Sequence, residues 1–406
     1  MQLKHLIPKH YRAPLRSFFR YGQIYVLPWI WPGLQMVAAV SIAQGRESIE
    51  GINDFRIHAQ PETHRLSNPR LCRFLRRQTL VPHYNNTFES EPVFTCCIEN
   101  ARFEPNCGIL ASVRDEIFID SAKDYLRLYR GVPQFGAQRR RPRRRVRGTA
   151  SSILGPFFTH FYHWTLEALP RLYSLSLIDE EIRLLMPNHL PKYQKETLEL
   201  LLPNNLFVDY YKDTDWIEVE RFVFPSYTTT HHNFTFPPLP YLEFVRTNLF
   251  RGLGIVRGDN AKQRIYISRS TANTRRVLNE SRVMDLLGSQ GFKSYCLEKM
   301  DFKSQVELFC GADAIVAPHG AGMLNMIYSS APVPVLEFAT GISTPCYFFL
   351  ANRIGHHYDY LYPAGTDEEA SSPRMDFTSN YRQLRDRDIS IDIDKLKERL
   401  DSMGLR

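Results

Sequence analysis

In the carboxyl-terminal third of the chain, short apolar runs alternate with segments whose apolar residues recur at helical spacing. The runs predict strands over Arg264–Ser268, Phe292–Cys296, Ala314–Ala317 and Val333–Phe338. The periodic segments predict helices over Ser281–Gln290 and Lys303–Cys310, with another helix opening over Met323–Tyr328. Such alternation predicts an α/β fold, a parallel sheet covered by helices on both faces. Ile393–Leu400 reads as a closing amphipathic helix.

Upstream, His163, Trp164, Leu166, Leu169, Leu172, Tyr173 and Leu175 recur at helical spacing and predict an amphipathic helix. An apolar run at Leu184–Met186, a helix near Gln194–Leu202 and a β-rich stretch at Trp216–Phe224 follow. Tyr241–Leu253 reads as a helix ending near Gly254, and the charged stretch Arg257–Gln263 as a linker. Before residue 135 only short strand-like runs stand out, at Val93–Ile98 and Glu116–Ile119. Arg139–Arg147, RRRPRRRVR, has no apolar residue except Val146 and predicts an exposed, solvated loop.

The segment Ile24–Ala43 follows a basic stretch and has the composition of a membrane anchor. Pro28, Pro32, Gly33 and Gln35 argue against a spanning helix, which needs about 20 mostly apolar residues. A buried strand-and-turn or an interfacial segment fits better. The basic region is too long and proline-rich for a cleavable signal peptide.

A chain of 406 residues exceeds what one core usually supports, so two domains with a cleft between them are expected. The expected division is 1–255, with a basic loop at 136–150, then 256–388, then a closing helix at 389–406. The formal charge of +8 favours anionic partners without choosing among nucleotide, nucleic acid and acidic lipid. Seven cysteines without a CxxC pair exclude a disulfide scaffold or a zinc site; the odd count suits a reducing compartment. One bridge among Cys72, Cys96, Cys97 and Cys107 stays open. Three N-x-S/T sequons, at Asn85, Asn233 and Asn279, are within what chance supplies.

Three clusters carry candidate chemistry. The turn Pro318-His319-Gly320-Ala321-Gly322 follows a strand and precedes a helix, where open α/β sheets bind ligands and helix N–H groups meet anions. Asn325 lies one helical turn on, and Glu337 ends the next strand, where a carboxylate accepts from ribose hydroxyls or serves as an ion-paired strand end. Ser268 and Arg269 leave the first strand of this region, followed by Arg275, Arg276, Asn279 and Glu280. Guanidinium groups there suit a diphosphate; the plain alternative is a solvated loop. In HFYHWTLEALPRL, His163 and Glu167 share a helix face, a carboxylate beside an imidazole or a base in its own right. His160 and Trp164 belong to the same cluster, and for Trp164 core packing is the leading reading. HxxxE supplies only two ligands, so no metal site is expected.

HFYHWTLEALPRL, RIYISRSTANTRRVLNE and APHGAGMLNMIY with VLEF, in this order and spacing, resemble the family 61 glycosyltransferases over about residues 150–400. The resemblance implies a GT-B-like architecture of two Rossmann-type domains and inverting transfer from a nucleotide-sugar, expected to be a UDP-sugar, with no metal or other cofactor required. The acceptor is expected to be a glycan or lipid-linked glycan in surface polysaccharide biosynthesis. It implies a donor side at Ser268, Arg269, Arg275, Arg276, Asn279, His319, Gly320, Ala321, Gly322, Asn325 and Glu337. Glu167 or His163 is the implied base, and His160, where many members have Asn, stands with Trp164 on the implied acceptor side. A cytoplasmic enzyme is expected, with the arginine run at an anionic membrane surface and no nucleic-acid partner. An inactive glycan-binding relative, a nucleotide-sugar epimerase and a nucleic-acid-binding protein using the arginine run remain as alternatives; the last lacks interleaved aromatics.

Overall fold

The computed structural model describes residues 23–26, 37–40, 42, 51–65, 87–106, 108–113, 117–122, 143–155, 157–212, 216–229, 236–258, 262–340, 345–366 and 386–406. They fall into two compact units, 1–62 with 90–231, and 63–89 with 232–406.

The first unit is built on a mixed ten-stranded sheet of β1 (Gln23–Val26), β2 (Val37–Val40), β3 (Ile52–Ala59), β6 (Val93–Phe103), β7 (Leu110–Ala111), β8 (Ile117–Phe118), β9 (Arg143–Ser151), β10 (Ile182–Pro187), β11 (Leu206–Tyr211) and β12 (Trp216–Pro225). The hairpin β4 (Thr63–Arg65) and β5 (Thr87–Glu89) goes with the second unit. Strands β12, β9, β10 and β11 lie side by side and parallel, and β6 joins β12 antiparallel. The short helix α1 (Ile119–Ala122) precedes this parallel part. Its crossovers are α2 (Phe161–His163) continuing into α3 (Arg171–Ser176), then α4 (Lys192–Leu201). Of the apolar segment Ile24–Ala43, the described residues include two strands, β1 and β2, paired antiparallel. Among the described residues no helix is long and apolar enough to cross a membrane. Cys96 and Cys97 are free thiols, whereas Cys72 and Cys107 lie outside the described residues.

The arginine run does not form the expected loop over Arg143–Arg147. These residues open β9, an inner strand, with Val146 buried. Acidic side chains on neighbouring strands make this possible. Arg144 Nη2 donates to both Asp209 oxygens (2.7 and 2.6 Å), Arg145 pairs with Glu218 (3.1 Å), and Glu220 accepts the Gly148 N–H (2.7 Å). Burial pushes the Asp209 carboxyl up, but hydrogen bonds from Arg144 and Arg183 outweigh it and hold the carboxyl below its usual value. Arg144 is therefore engaged by Asp209 within the sheet, whereas the Arg145 side chain stays 83% exposed beside Glu218. Residues 139–142 lie outside the described set.

The second unit is the predicted parallel sheet: β13 (Gln263–Ile267), β14 (Phe292–Tyr295), β15 (Ala312–Pro318), β16 (Pro334–Phe338) and β17 (His357–Leu361). The spatial order is β14-β13-β15-β16-β17, all parallel. β15 and β16 are buried on both faces, which is why they read as unbroken apolar runs. One face is covered by α6 (Glu280–Ser289) and α9 (Ile393–Ser402), whose Val283, Leu287, Leu396 and Leu400 pack on Tyr266, Val316 and Leu336. The other carries α7 (Phe302–Cys310), the 3₁₀ helix Ala321–Tyr328 and α8 (Cys346–Arg353). Asp301 caps α7 by accepting the Ser304 N–H (2.8 Å).

The helix α5 (Leu239–Leu253) ends at Gly254 in the left-handed conformation, as its sequence predicts, but it belongs to the second unit. Arg246 donates to Ser329 O (2.8 Å) and Phe250 meets Tyr328 edge-on (6.3 Å). The break expected at 255/256 thus falls at 231/232, because the apolar face of α5 covers the 3₁₀ helix. The closing helix is likewise part of this unit's core.

His356 sits beneath the same layer, accepting the Val333 N–H at Nδ1 (3.2 Å) with Nε2 on Met326 O (3.1 Å). Burial lowers its pKa from 6.5 to about 4, only partly opposed by the Met326 carbonyl. Between these values the unfolded chain binds more protons. The contribution is therefore complete above about pH 6.5 and is lost as pH falls toward 4. Urea unfolding of the second unit is expected to weaken by roughly 2–3 kcal/mol between pH 7 and 4.5. In His356→Asn that pH slope should shrink; an unchanged slope would assign it elsewhere.

Candidate active site

In the second sheet β13 leads outward to β14, then the chain crosses back to β15 on the other side of β13. Adjacent strands whose connections leave in opposite directions open a crevice at their carboxyl ends, where ligands bind in such folds. The two loops at this switch point are Ser268–Arg269, after β13, and His319–Gly322, after β15. A Cβ at Gly320 would fall 2.5 Å from Arg269 Nη1, so the guanidinium packs directly on the Gly320 backbone. Arg269 Nη2 donates to Thr274 O (3.0 Å), while Arg275 Nη1 donates to His319 O (3.1 Å). Arg275 holds φ at 57°, a left-handed conformation costing about 1–2 kcal/mol in a non-glycine residue. Burial, then the charge of Arg275, lowers the Arg269 pKa.

His319 is fixed at both ends. Its N–H donates to Phe338 O (3.0 Å), and Nδ1 lies 2.5 Å from Glu337 Oε1. Tyr358 donates to the other Glu337 oxygen (2.6 Å). Met323 N–H bonds to Gly320 O (3.0 Å), closing the first 3₁₀ turn and leaving the Ala321 and Gly322 N–H groups without helical acceptors. Gly322 is needed for packing, since a Cβ there would stand 2.8 Å from Leu297 Cδ1.

Several expected donor-side residues are used inside the fold. Glu337 is fully buried with both oxygens engaged, so it is not a ribose acceptor. Asn325 is buried and donates to Gln305 Oε1 (3.0 Å); the tighter 3₁₀ turn carries it off the loop's face onto α7. Arg276 is held by Asp388 (2.6 Å), and Asn279 exchanges two hydrogen bonds with the Ile391 backbone (2.7 and 2.9 Å), so both fasten the segment leading to α9. Ser268 donates to Glu280 Oε1 (2.8 Å), which also takes the Tyr266 hydroxyl (2.9 Å). The structure thus brings together Arg269, Arg275, His319 and Gly320–Gly322. Sequence reasoning missed Tyr358, Tyr347 and Gln305, which lack any motif.

In the first unit, Thr159 and His160 lead into α2, which widens to a π turn over Trp164–Ala168, with Leu169 N–H bonded to Trp164 O (2.9 Å). Pro170 is the cause: it has no N–H for Leu166 O, and Thr228 donates to that carbonyl instead (3.3 Å). His163 Nδ1 and Glu167 Oε2 still meet at 2.9 Å, as the four-residue spacing predicts. The His163 side chain is 23% exposed and that of Glu167 5%. The imidazole is therefore the member more open to solvent, with the carboxylate behind it. His160 is exposed beside it, ring to ring at 6.2 Å; burial, then the His163 charge, lowers its pKa. Trp164 is not on the acceptor side: it is fully buried and donates to Thr197 (2.8 Å).

Arg171, one turn after Glu167, was also missed. It is buried, donates to Pro225 O and Leu154 O (2.8 and 3.0 Å) and lies over the Tyr227 ring (4.5 Å). Its guanidinium bridges the carboxyl-terminal exits of β12 and β9. An arginine in the first turn of a helix opposes the macrodipole, and that oddity is the signal that could have found it.

Residues 161–336, from α2 to β16, match the Glycosyltransferase 61 family model. This segment belongs to glycosyltransferase family 61. Family 61 membership points to glycosyl transfer, with a sugar donor and a glycan acceptor. The family 61 segment takes in His163, Glu167, Arg171, Arg269, Arg275 and His319 and stops one residue before Glu337. A search of curated proteins finds no match to the chain.

Arg171→Lys is expected to destabilise the first unit by about 3 kcal/mol, because one ammonium cannot serve both carbonyls and the aromatic face. Thermal denaturation measures it. A wild-type melting temperature would mean that the strand exits are held by something else.

Proposed function

We propose that the chain is an inverting glycosyltransferase that moves a sugar from a UDP-sugar to a glycan or lipid-linked glycan acceptor in surface polysaccharide biosynthesis, at the cytoplasmic side of the membrane. The observation that carries the donor half is the Arg269 guanidinium seated on Gly320 at the switch point, beside His319. Arg269, Arg275 and the open N–H groups of Ala321 and Gly322 suit a diphosphate by charge-assisted hydrogen bonding. A GT-B-like organisation, with a donor half and an acceptor half, is part of the same reading; its support is two units each built on a sheet of its own.

On the acceptor side, His163 removes the hydroxyl proton with Glu167 orienting it, and His160 is placed to hydrogen-bond the acceptor. The acceptor oxygen bonds to the anomeric carbon as the bond to the diphosphate breaks, a single displacement that inverts configuration. Charge on the leaving diphosphate is assigned to Arg269 and Arg275, without a metal in the step.

Purified protein in EDTA should melt at a higher temperature with UDP than with GDP, CMP or dTDP. Nucleotide at 100 times Kd stabilises by about 2.7 kcal/mol. Arg269→Ala and His319→Ala should lose the shift. A well-folded protein that responds to no nucleotide would sink the donor-site reading. His163→Ala should keep the nucleotide shift while kcat falls roughly 10²- to 10⁴-fold; unchanged kcat would remove His163 as the base.

A further inference from the structure

We infer that Glu337 is a positioning residue whose buried carboxylate fixes the His319 imidazole, so that the nucleotide binds together with a proton held at Nε2 and the departing diphosphate receives it. The inference rests on the donor-site reading above and assigns Glu337 and Tyr358 a part in it.

Glu337 lies at the end of β16 with no exposed surface, and a carboxylate so placed must be paired. Its two partners come from different elements: His319 Nδ1 at 2.5 Å from the loop after β15, and the Tyr358 hydroxyl at 2.6 Å from β17. Burial, then the Glu337 charge, pushes the Tyr358 phenol up, so it stays protonated and only donates. Tyr347 of α8, edge-on to the imidazole at 5.2 Å, is likewise pushed up, by burial first and the neighbouring Cys346 next. Among the groups around Glu337 the imidazole is therefore the one that can carry a compensating positive charge.

Because Nδ1 donates to the carboxylate, Nε2 holds a lone pair in the neutral ring and a second proton in the cation. Arg269 and Arg275, from the loop after β13, border the same loop, Arg269 against Gly320 and Arg275 on His319 O (3.1 Å). A diphosphate bound there brings negative charge, which favours the cation. During transfer the electrons of the anomeric C–O bond stay on the diphosphate oxygen, which takes the Nε2 proton. The acceptor's proton passes to His163. The diphosphate leaves protonated, His319 is neutral, and exchange with water resets both rings.

The test is calorimetric titration of UDP into wild-type protein at pH 8, in buffers of different ionisation heat. Proton uptake on binding is expected. In Glu337→Gln, uptake should vanish and affinity fall roughly tenfold, about 1.4 kcal/mol. The imidazole ¹⁵N spectrum of the unliganded wild type should show the proton on Nδ1. Tyr358→Phe leaves the carboxylate to the imidazole alone and should carry uptake to higher pH, which keeps the test open if Glu337→Gln fails to fold. Binding without uptake, uptake surviving in Glu337→Gln, an Nε2–H tautomer, or no upward displacement in Tyr358→Phe would each overturn the inference while leaving the donor site intact. No binding of UDP or any other nucleoside diphosphate would overturn the donor-site reading itself.

Discussion

A parallel sheet must be covered on both faces, and that requirement shapes the second unit. With helices needed above and below, the chain winds outward from β13 to β14 and then returns past β13 to lay down β15. Where winding reverses, no crossover helix fills the carboxyl edge, and the two loops on either side stand open to each other. Their residues are correspondingly small or cationic: glycine where the guanidinium of Arg269 must approach the backbone, and arginine where negative charge would arrive. The first unit has its own parallel strands, but there the exits of β9 and β12 are bridged by the buried Arg171.

Both units set an imidazole against a carboxylate, by different means. His163 and Glu167 are four residues apart on one helical segment, and the pairing survives a π turn. His319 and Glu337 come from adjacent strands, aligned because Pro318 and Phe338 are register partners in β15 and β16. In each pair the ring is the more exposed partner and the carboxylate the more buried. Burying the carboxylate costs desolvation, but in the second unit its hydrogen bond with His319 Nδ1 fixes which ring nitrogen points outward.

The second sheet was legible because its strands are buried on both faces, so their apolar runs carry no competing pattern; Gly254 marked a helix end for the same local reason. The loops at β13 and β15 were legible as positions but only partly as partners. Arg276, Asn279 and Asn325 have the composition of ligand-binding residues, yet each is taken by a group 20 or 112 residues away in sequence. Local spacing cannot show that. Arg143–Arg147 misled for the opposite reason: a run of like charge looks solvated until the acids that neutralise it are found. The sequence WIEVER, with Glu218 and Glu220 on alternate positions, held the complementary half of that pattern.

The arginine-rich start of β9 also fixes an order of events. Its partners Asp209, Glu218 and Glu220 follow it by 65 to 73 residues or so. On the ribosome, the cationic segment emerges well before the acids that let it become an inner strand. Until β11 and β12 have been synthesised, β9 lacks its charge partners and one of its two neighbours, and β6 lacks the strand that joins it to the parallel part of the sheet. Joining the amino-terminal strands to the parallel ones thus waits on the appearance of β12, residues 216–225.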